Sequence, residues 1–287
     1  MFLAPARRPG LAVIVALALL AAAPAAAPRT AARTGAQTAA QTAAQTAAQA
    51  GQKPFEPRVG QAGKDVVWVP TPQVLVDKML DMANVTATDF VIDLGSGDGR
   101  TVITAARRGA RALGVEFNPD MVALSRKNAA EAGVGDRATF SQADLFETDL
   151  TRATVITMFL LPDINLKLRP KLLDLKPGTR VVSNSFTMGD WSADERETVD
   201  DCQSYCTALL WIVPARVQGT WRLGDQTLTL NQEYQMLTGT LGSQAITGQM
   251  KGEAITFTAG DTTYTGTVRG ATMDGTRTGG ATWRATR

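Results

Sequence analysis

From about residue 66 to residue 185, the apolar positions follow two alternating patterns. Short, dense apolar runs at 90–94, 112–115, 139–142, 154–159 and 180–184 read as buried strands. Between them, apolar residues recur at helical steps. Val74, Leu75, Met79 and Leu80 define a helix that Thr71 would cap and Pro72 would start, running to about Met82. Further helices are predicted over 100–108, over 119–132 with Asn118 as cap and Gly133 as stop, and over 165–175 ahead of Lys176-Pro177-Gly178. Repeated βα units of this length predict a parallel sheet with helices on both faces.

The pattern changes after about Ala208. Residues 209–213 read as a sixth strand, and from Gly219 onward the chain alternates with period two. Leu228, Leu230, Tyr234 and Met236 share one parity; Ile255 shares a face with Phe257, and Tyr264 with Val268. Gly260-Asp261 and Asp274-Gly275 read as turns. Residues 218–287 therefore predict a small antiparallel β domain, a meander or partial barrel. A core of that size is modest, so docking on the first domain is expected. Its role is open between substrate holder, partner module and structural cap, with the cap as default.

The N-terminus follows neither pattern. Arg7 and Arg8 precede an apolar run at 11–23 and an alanine-rich stretch, the pattern of a signal peptide or membrane anchor over 1–27. Residues 28–64, with QTAAQTAAQTAAQ at 37–49, read as a low-complexity tether, with order returning near Val66. These readings predict an exported or membrane-anchored protein on the periplasmic side. Membrane association would run through the N-terminus, and the cytosolic side stays open.

Composition narrows the chemistry. The 287 residues carry a formal net charge of +2 and contain no histidine. Imidazole bases, Ser-His triads and most transition-metal sites are thereby excluded, so no metal is expected. There is no basic stripe of the kind that marks a nucleic-acid partner, and none is expected. Cys202 and Cys206 are expected to form a local disulfide rather than remain two free thiols, and the bond would pin the connection between the fifth and sixth strands. Four residues apart, they can bond across a turn or helix but not along an extended strand.

The chemistry is concentrated where the first strand ends, in Val91-Ile92-Asp93-Leu94-Gly95-Ser96-Gly97-Asp98-Gly99-Arg100. Glycines let the chain turn tightly at the carboxyl end of a strand, where open α/β sheets bind ligands. Asp93 and Asp98 flank the loop, and Glu116 ends the next strand. A pyrophosphate would meet like charges there, whereas a cationic sulfonium and ammonium would be attracted. These features point to S-adenosyl-L-methionine (SAM).

With these motifs in view, residues from about 65 to 217 resemble class I SAM-dependent methyltransferases. They are most similar to the ATP synthase c-subunit lysine methyltransferase family and its bacterial relatives. The segments that carry the resemblance are Val67-Trp68-Val69-Pro70-Thr71-Pro72, the glycine loop, Phe159-Leu160-Leu161-Pro162, Pro177-Gly178-Thr179-Arg180-Val181-Val182-Ser183 and Met188-Gly189-Asp190-Trp191. The resemblance implies a Rossmann-like, mostly parallel seven-stranded sheet over 65–217, SAM as cofactor and methyl transfer to a protein lysine or other amine. The cofactor candidates are Asp93, Gly95, Ser96, Gly97, Gly99, Glu116, Asp144, Leu145 and Thr71. Within them, Asp144 would bond the adenine amino group beside an apolar neighbour. Asn184, Asn165 and Phe186 are the acceptor-pocket candidates, with Phe159, Pro162 and Trp191 placed beside them; Trp68 would fold over the cofactor, and no general base is assigned. The leader and the added β domain depart from the family pattern. Two other readings stay open: an exported SAM- or adenosine-ligand-binding scaffold or sensor without catalysis, and a small-molecule or lipid methyltransferase at the membrane.

Overall fold

The computed structural model describes residues 55–287. The leader at 1–27 and the tether up to residue 54 lie outside the described residues. Residues 55–64 of the predicted tether are structured, ahead of the start expected near Val66. Gly60 N donates to Trp68 O at 2.8 Å and Trp68 N to Gln61 O at 2.9 Å, folding residues 60–68 into a strap. Among the described residues, no helix is long and apolar enough to cross a membrane.

Seven strands form one sheet in the order β3-β2-β1-β4-β5-β7-β6. The five strands expected from apolar runs, β1 (Phe90–Leu94), β2 (Arg111–Glu116), β3 (Ala138–Gln142), β4 (Val155–Met158) and β5 (Arg180–Asn184), pair in parallel. β7 (Thr207–Ile212) runs antiparallel between β5 and β6 (Glu195–Thr198). β6 reads Glu-Arg-Glu-Thr and is exposed at every residue. A charged edge strand resists pairing with other chains, and it has no apolar run to betray it.

α1 (Gln73–Met82), α2 (Arg100–Arg107) and α3 (Pro119–Glu131) cover one sheet face, burying Leu75, Val76, Val102, Val122 and Ala129. α4 (Pro162–Leu173) covers the other with Ile164, Leu168 and Leu172. Asn118 caps α3 as expected, its side chain accepting from Asp120 N and Met121 N. Two helix starts differ from expectation. Pro72, not Thr71, holds the cap position of α1, and a proline ring has no acceptor with which to cap; Thr71 is buried instead. α4 opens three residues before Asn165, since Pro162 is set for a first helical turn.

The C-terminal domain is a closed eight-stranded barrel rather than an open meander. Its strands run from β8 (Gly219–Leu223) and β9 (Gln226–Glu233) through β10 (Met236–Leu241), β11 (Gln244–Lys251), β12 (Ala254–Ala259), β13 (Thr262–Arg269) and β14 (Thr272–Arg277) to β15 (Thr282–Thr286). β8 closes the circle by pairing with both β9 and β15. Side chains fill the interior: Phe257 stacks on Tyr264 at 4.6 Å and Trp283 meets both edge-on. Asp274-Gly275 is not a turn but lies within β14. A Cβ at Gly275 would stand 1.9 Å from Thr265 O, so this glycine permits close strand approach. The expected parity fails at Tyr234 and Met236. Tyr234 sits in the β9–β10 turn with φ 53°, which resets the register, so β10 turns Leu237 and Leu241 inward and exposes Met236.

The barrel docks on the sheet domain, as its small core suggested. Tyr234 stacks on Trp191 at 6.1 Å, Ala215 N donates to Gly252 O at 2.8 Å, and Lys251 pairs with Glu195 at 2.9 Å.

Candidate active site

β1 pairs with both β2 and β4, so the connections leave it in opposite directions and a crevice opens at the strands' carboxyl ends. A cavity of about 480 Å³ lies there. Its wall combines the β1 loop, the ends of β2 and β4, the segments after β3 and β5, the strap with its continuation to Thr71, and Tyr205.

The glycine loop is held by backbone bonds. Gly95 N and Ser96 N both donate to Val115 O, at 2.9 and 3.0 Å. Glu116 divides its carboxylate between Gly97 N at 3.0 Å and Asn118 N at 2.9 Å. Gly97 has φ 54°, and a Cβ there would come 2.6 Å from Trp68 Nε1, so the strap's indole lies against the loop.

The charges are unevenly paired. Arg100 neutralises Asp98 at 2.6 Å and also donates to Thr71 O at 2.9 Å. Lys64 pairs with Asp144. Among the described residues, Asp93 and Glu116 have no ion pair. Asp93 is buried and accepts from Thr157 Oγ1 at 2.7 Å. Burial, opposed by that bond and reinforced by the nearby Asp98 and Glu116 carboxylates, pushes its carboxyl up to about 7. A site with such an acid under strain suits a ligand that brings positive charge, and SAM brings a sulfonium and an ammonium.

The family model described as the ANTKMT methyltransferase domain matches residues 93–195. A protein-lysine N-methyltransferase of Saccharolobus islandicus is 43% identical over 151 residues, covering 52% of this chain and 94% of that protein. The chain belongs to this methyltransferase family. The ATP synthase c-subunit lysine N-methyltransferase of Xenopus laevis is 35% identical, with 48% of this chain and 62% of that protein covered. The mouse enzyme of the same name is 37% identical over 40% of this chain, which spans only 48% of its length. A crystal structure described as an RNA methyltransferase from Salinibacter ruber, in complex with S-adenosyl-L-homocysteine (SAH), is 53% identical, covering 52% of this chain and 96% of that one, with a TM-score of 0.49.

In this SAM-dependent methyltransferase, Asp93, Gly95, Ser96, Gly97, Glu116, Asp144, Leu145, Thr71 and Phe186 all line the cavity. Thr71 Oγ1 accepts from Asn184 Nδ2 at 3.3 Å. Three candidates lie outside the cavity wall. Gly99 starts α2 in a left-handed turn and packs against Ser125 and Phe140, where a Cβ would come within 2.7 and 2.8 Å. Asn184 is fully buried and ties the β5 end to the strap. Asn165 is likewise buried and donates to Phe186 O and Thr187 O, each at 3.2 Å, so it positions the loop carrying Phe186. Of the other expected neighbours, Phe159 and Trp68 line the cavity, while Trp191 is core beneath the barrel.

Several lining residues of the methyltransferase escaped the sequence reading, Lys64, Phe117 and Tyr205 among them. Lys64 fell in the assigned tether. Phe117 directly follows Glu116, and its exposure hid it from any core pattern. Tyr205 lies between Cys202 and Cys206, which form a disulfide with Cα atoms 5.7 Å apart. The expectation of a bond pinning the connection after β5 was the signal that pointed toward it.

Proposed function

We propose that this methyltransferase transfers the methyl group of SAM to the amine of a protein lysine. The observation that carries the reading is a single cavity whose wall combines the carboxylates of Asp93, Glu116 and Asp144 with the half-buried rings of Phe159 and Phe186. The name of the Saccharolobus relative, a protein-lysine N-methyltransferase, supports the same acceptor.

In this reading Asp93, Glu116 and the Gly95–Gly97 turn hold the amino acid and ribose portions of the cofactor, and Asp144 with Leu145 holds the adenine. Bound SAM supplies a methyl group already activated by its positive sulfur. Phe159 and Phe186 line the approach of the acceptor. Aromatic walls strip water from an alkylammonium and lower its pKa, which favours the neutral nucleophile without a basic side chain. Asn165 and Asn184 keep both walls in register. Alignment of this kind can supply ~7–11 kcal/mol of the barrier.

The acceptor is tested with methyl-labelled SAM and fractionated cell extracts. Label recovered as methylated lysine after protein hydrolysis is expected. Label confined to RNA, lipid or small molecules would overturn the lysine assignment. We further propose that the protein works in an oxidising compartment, a location supported by the disulfide and by the leader pattern. Fractionation to the cytoplasm with the leader intact would refute it.

A further inference from the structure

The aromatic part of the cavity wall has a third ring that the lysine reading does not use. Tyr205 meets Phe159 at 5.0 Å between centroids with planes at 61°, and Phe186 at 5.9 Å and 52°. Phe159 and Phe186 stand 6.0 Å apart at 19°. The three rings come from three separate connections: after β4, after β5, and between β6 and β7. They touch one another, so a cation would lie over their cavity side rather than between them. Ring faces attract an alkylammonium within about 6 Å of their centroids.

Tyr205 needs an explanation of its own. It is 43% exposed, so burial does not fix it. Its φ is 57°, a left-handed conformation that bulky residues rarely adopt. Among the described residues it has no hydrogen bond to the rest of the protein. What surrounds it is the disulfide: Cys206 follows immediately, Cys202 lies three residues before, and Val199 N donates to Cys206 O at 3.0 Å to close the hairpin. Strained backbone at a cavity persists when its surroundings over-determine it, and it commonly marks function.

We infer that Tyr205 completes a subsite for an alkylammonium group and that the Cys202–Cys206 disulfide is the clamp that presents it. The inference deepens the lysine reading and rests on it: the neutral amine attacks, and the group taken would be the methylated ammonium whose charge develops on the lysine nitrogen as the methyl arrives. Tyr205 touches the acceptor in this scheme, and the two cysteines are positioning residues. Reduction by a dithiol such as dithiothreitol would pass two electrons and two protons to the S–S bond, giving two thiols and the oxidised reductant. The 199–206 loop would then be free to leave the left-handed turn and withdraw the ring.

The test uses the full protein saturated with SAH and two probes of similar size, tetramethylammonium and neutral neopentyl alcohol, followed by NMR titration. Oxidised wild type is expected to bind the cation and to prefer it over the alcohol. Tyr205→Ala should weaken cation binding by about tenfold, and Tyr205→Phe should retain it. Wild type treated with dithiothreitol, and the Cys202→Ser/Cys206→Ser double variant, should both approach the Tyr205→Ala value. The reductant should have no effect on Tyr205→Ala itself. Absence of cation binding by oxidised wild type, equal binding of the alcohol, or unaltered binding after reduction or in Tyr205→Ala would overturn the inference. Should the cysteine variant fail to fold, Tyr205→Ala keeps the native disulfide and remains decisive. SAH affinity, measured in parallel by calorimetry, separates the two levels. Loss of SAH binding in wild type would refute the cofactor site, whereas intact SAH binding with no cation preference would refute only the subsite.

Discussion

The ammonium of Lys64 rests on the carboxylate of Asp144 and lies 5.0 Å from the centre of the Phe117 ring. The hydrogen bond from Lys64 is the main reason the Asp144 carboxyl falls below its ordinary range, and the same bond raises Lys64. An acid and a ring face are the two features an adenine would use: one for its amino group, the other for stacking. Lys64 therefore occupies the place expected for the base. Lys64→Ala is expected to tighten SAH binding severalfold, with the difference from wild type shrinking at high salt because both partners are solvent-accessible. Calorimetry decides it. Weaker binding in the variant would make Lys64 a clasp on the cofactor instead of its competitor.

Asp93 lines the cavity with a raised pKa, and in the proposed role it would link cofactor binding to pH. Its carboxyl rises from the ordinary 3.8 to about 7, chiefly through burial. A raised acid makes the folded state bind the proton more tightly than the unfolded chain. Its cost to stability is thus absent below about pH 4 and grows as pH rises toward 7. A bound cation favours the carboxylate, so SAM should expel a proton near neutrality. SAM affinity is expected to increase between pH 6 and 8, roughly the window around this acid, and more steeply than that of uncharged-sulfur SAH. Calorimetry in buffers of different ionisation enthalpy counts the released proton. A pH-independent affinity, or identical slopes for the two ligands, would contradict this role.

The loop bonds of Glu116 make a third case. It satisfies Gly97 N and Asn118 N with its two carboxylate oxygens. Glu116→Ala leaves both amides without that partner and removes a negative charge from the cavity. SAH binding should weaken by ~1–3 kcal/mol, the range for charged hydrogen bonds. Gly97→Ala acts on the same loop by another route: it strains a left-handed residue and drives a methyl into the Trp68 indole. Its effect should include altered Trp68 fluorescence, which Glu116→Ala need not show. Normal SAH affinity in both variants would remove the glycine loop from the cofactor site.

How much of this was readable in advance depended on whether a residue's neighbours lie near it in sequence. β1 to β5 were legible because a strand buried on both faces is apolar throughout, and Asn118 was legible because a cap acts on its own helix. β6 was not, since a charged edge strand looks like a loop. The acidic lining was readable from strand ends, but the pairing of Asp98 with Arg100 was not, so the loop holds one unpaired acid fewer than its composition suggests. Asn165 and Asn184 were placed at the right strand ends and still miss the cavity, because their side chains are spent on Phe186, Thr187 and Thr71. Lys64 and Tyr205 depend on contacts across 80 residues and on a disulfide-bounded loop respectively, which no periodicity records.

The barrel offers the remaining test, because its interior is full and its contact with the sheet domain is specific. Gly275 and Gly266 face each other across β13 and β14 with Trp283 packed against them. A side chain at Gly275 would meet Thr265 O at 1.9 Å and Gly266 Cα at 2.4 Å, and both are backbone atoms that cannot swing aside. Gly275→Val should part the strands at the tryptophan and destabilise the barrel by about 2–4 kcal/mol, in the upper range for overpacking. The cavity draws no wall from residues beyond Tyr205, so SAH affinity should survive at temperatures where the barrel has opened. Thermal unfolding monitored by tryptophan fluorescence, with SAH calorimetry both below the barrel transition and between it and the unfolding of the sheet domain, measures both effects. A single cooperative transition with wild-type midpoint would show that the glycine pair is dispensable. Loss of SAH binding together with barrel opening would show that the Trp191–Tyr234 contact carries support into the cofactor site, and the barrel would then be more than a cap.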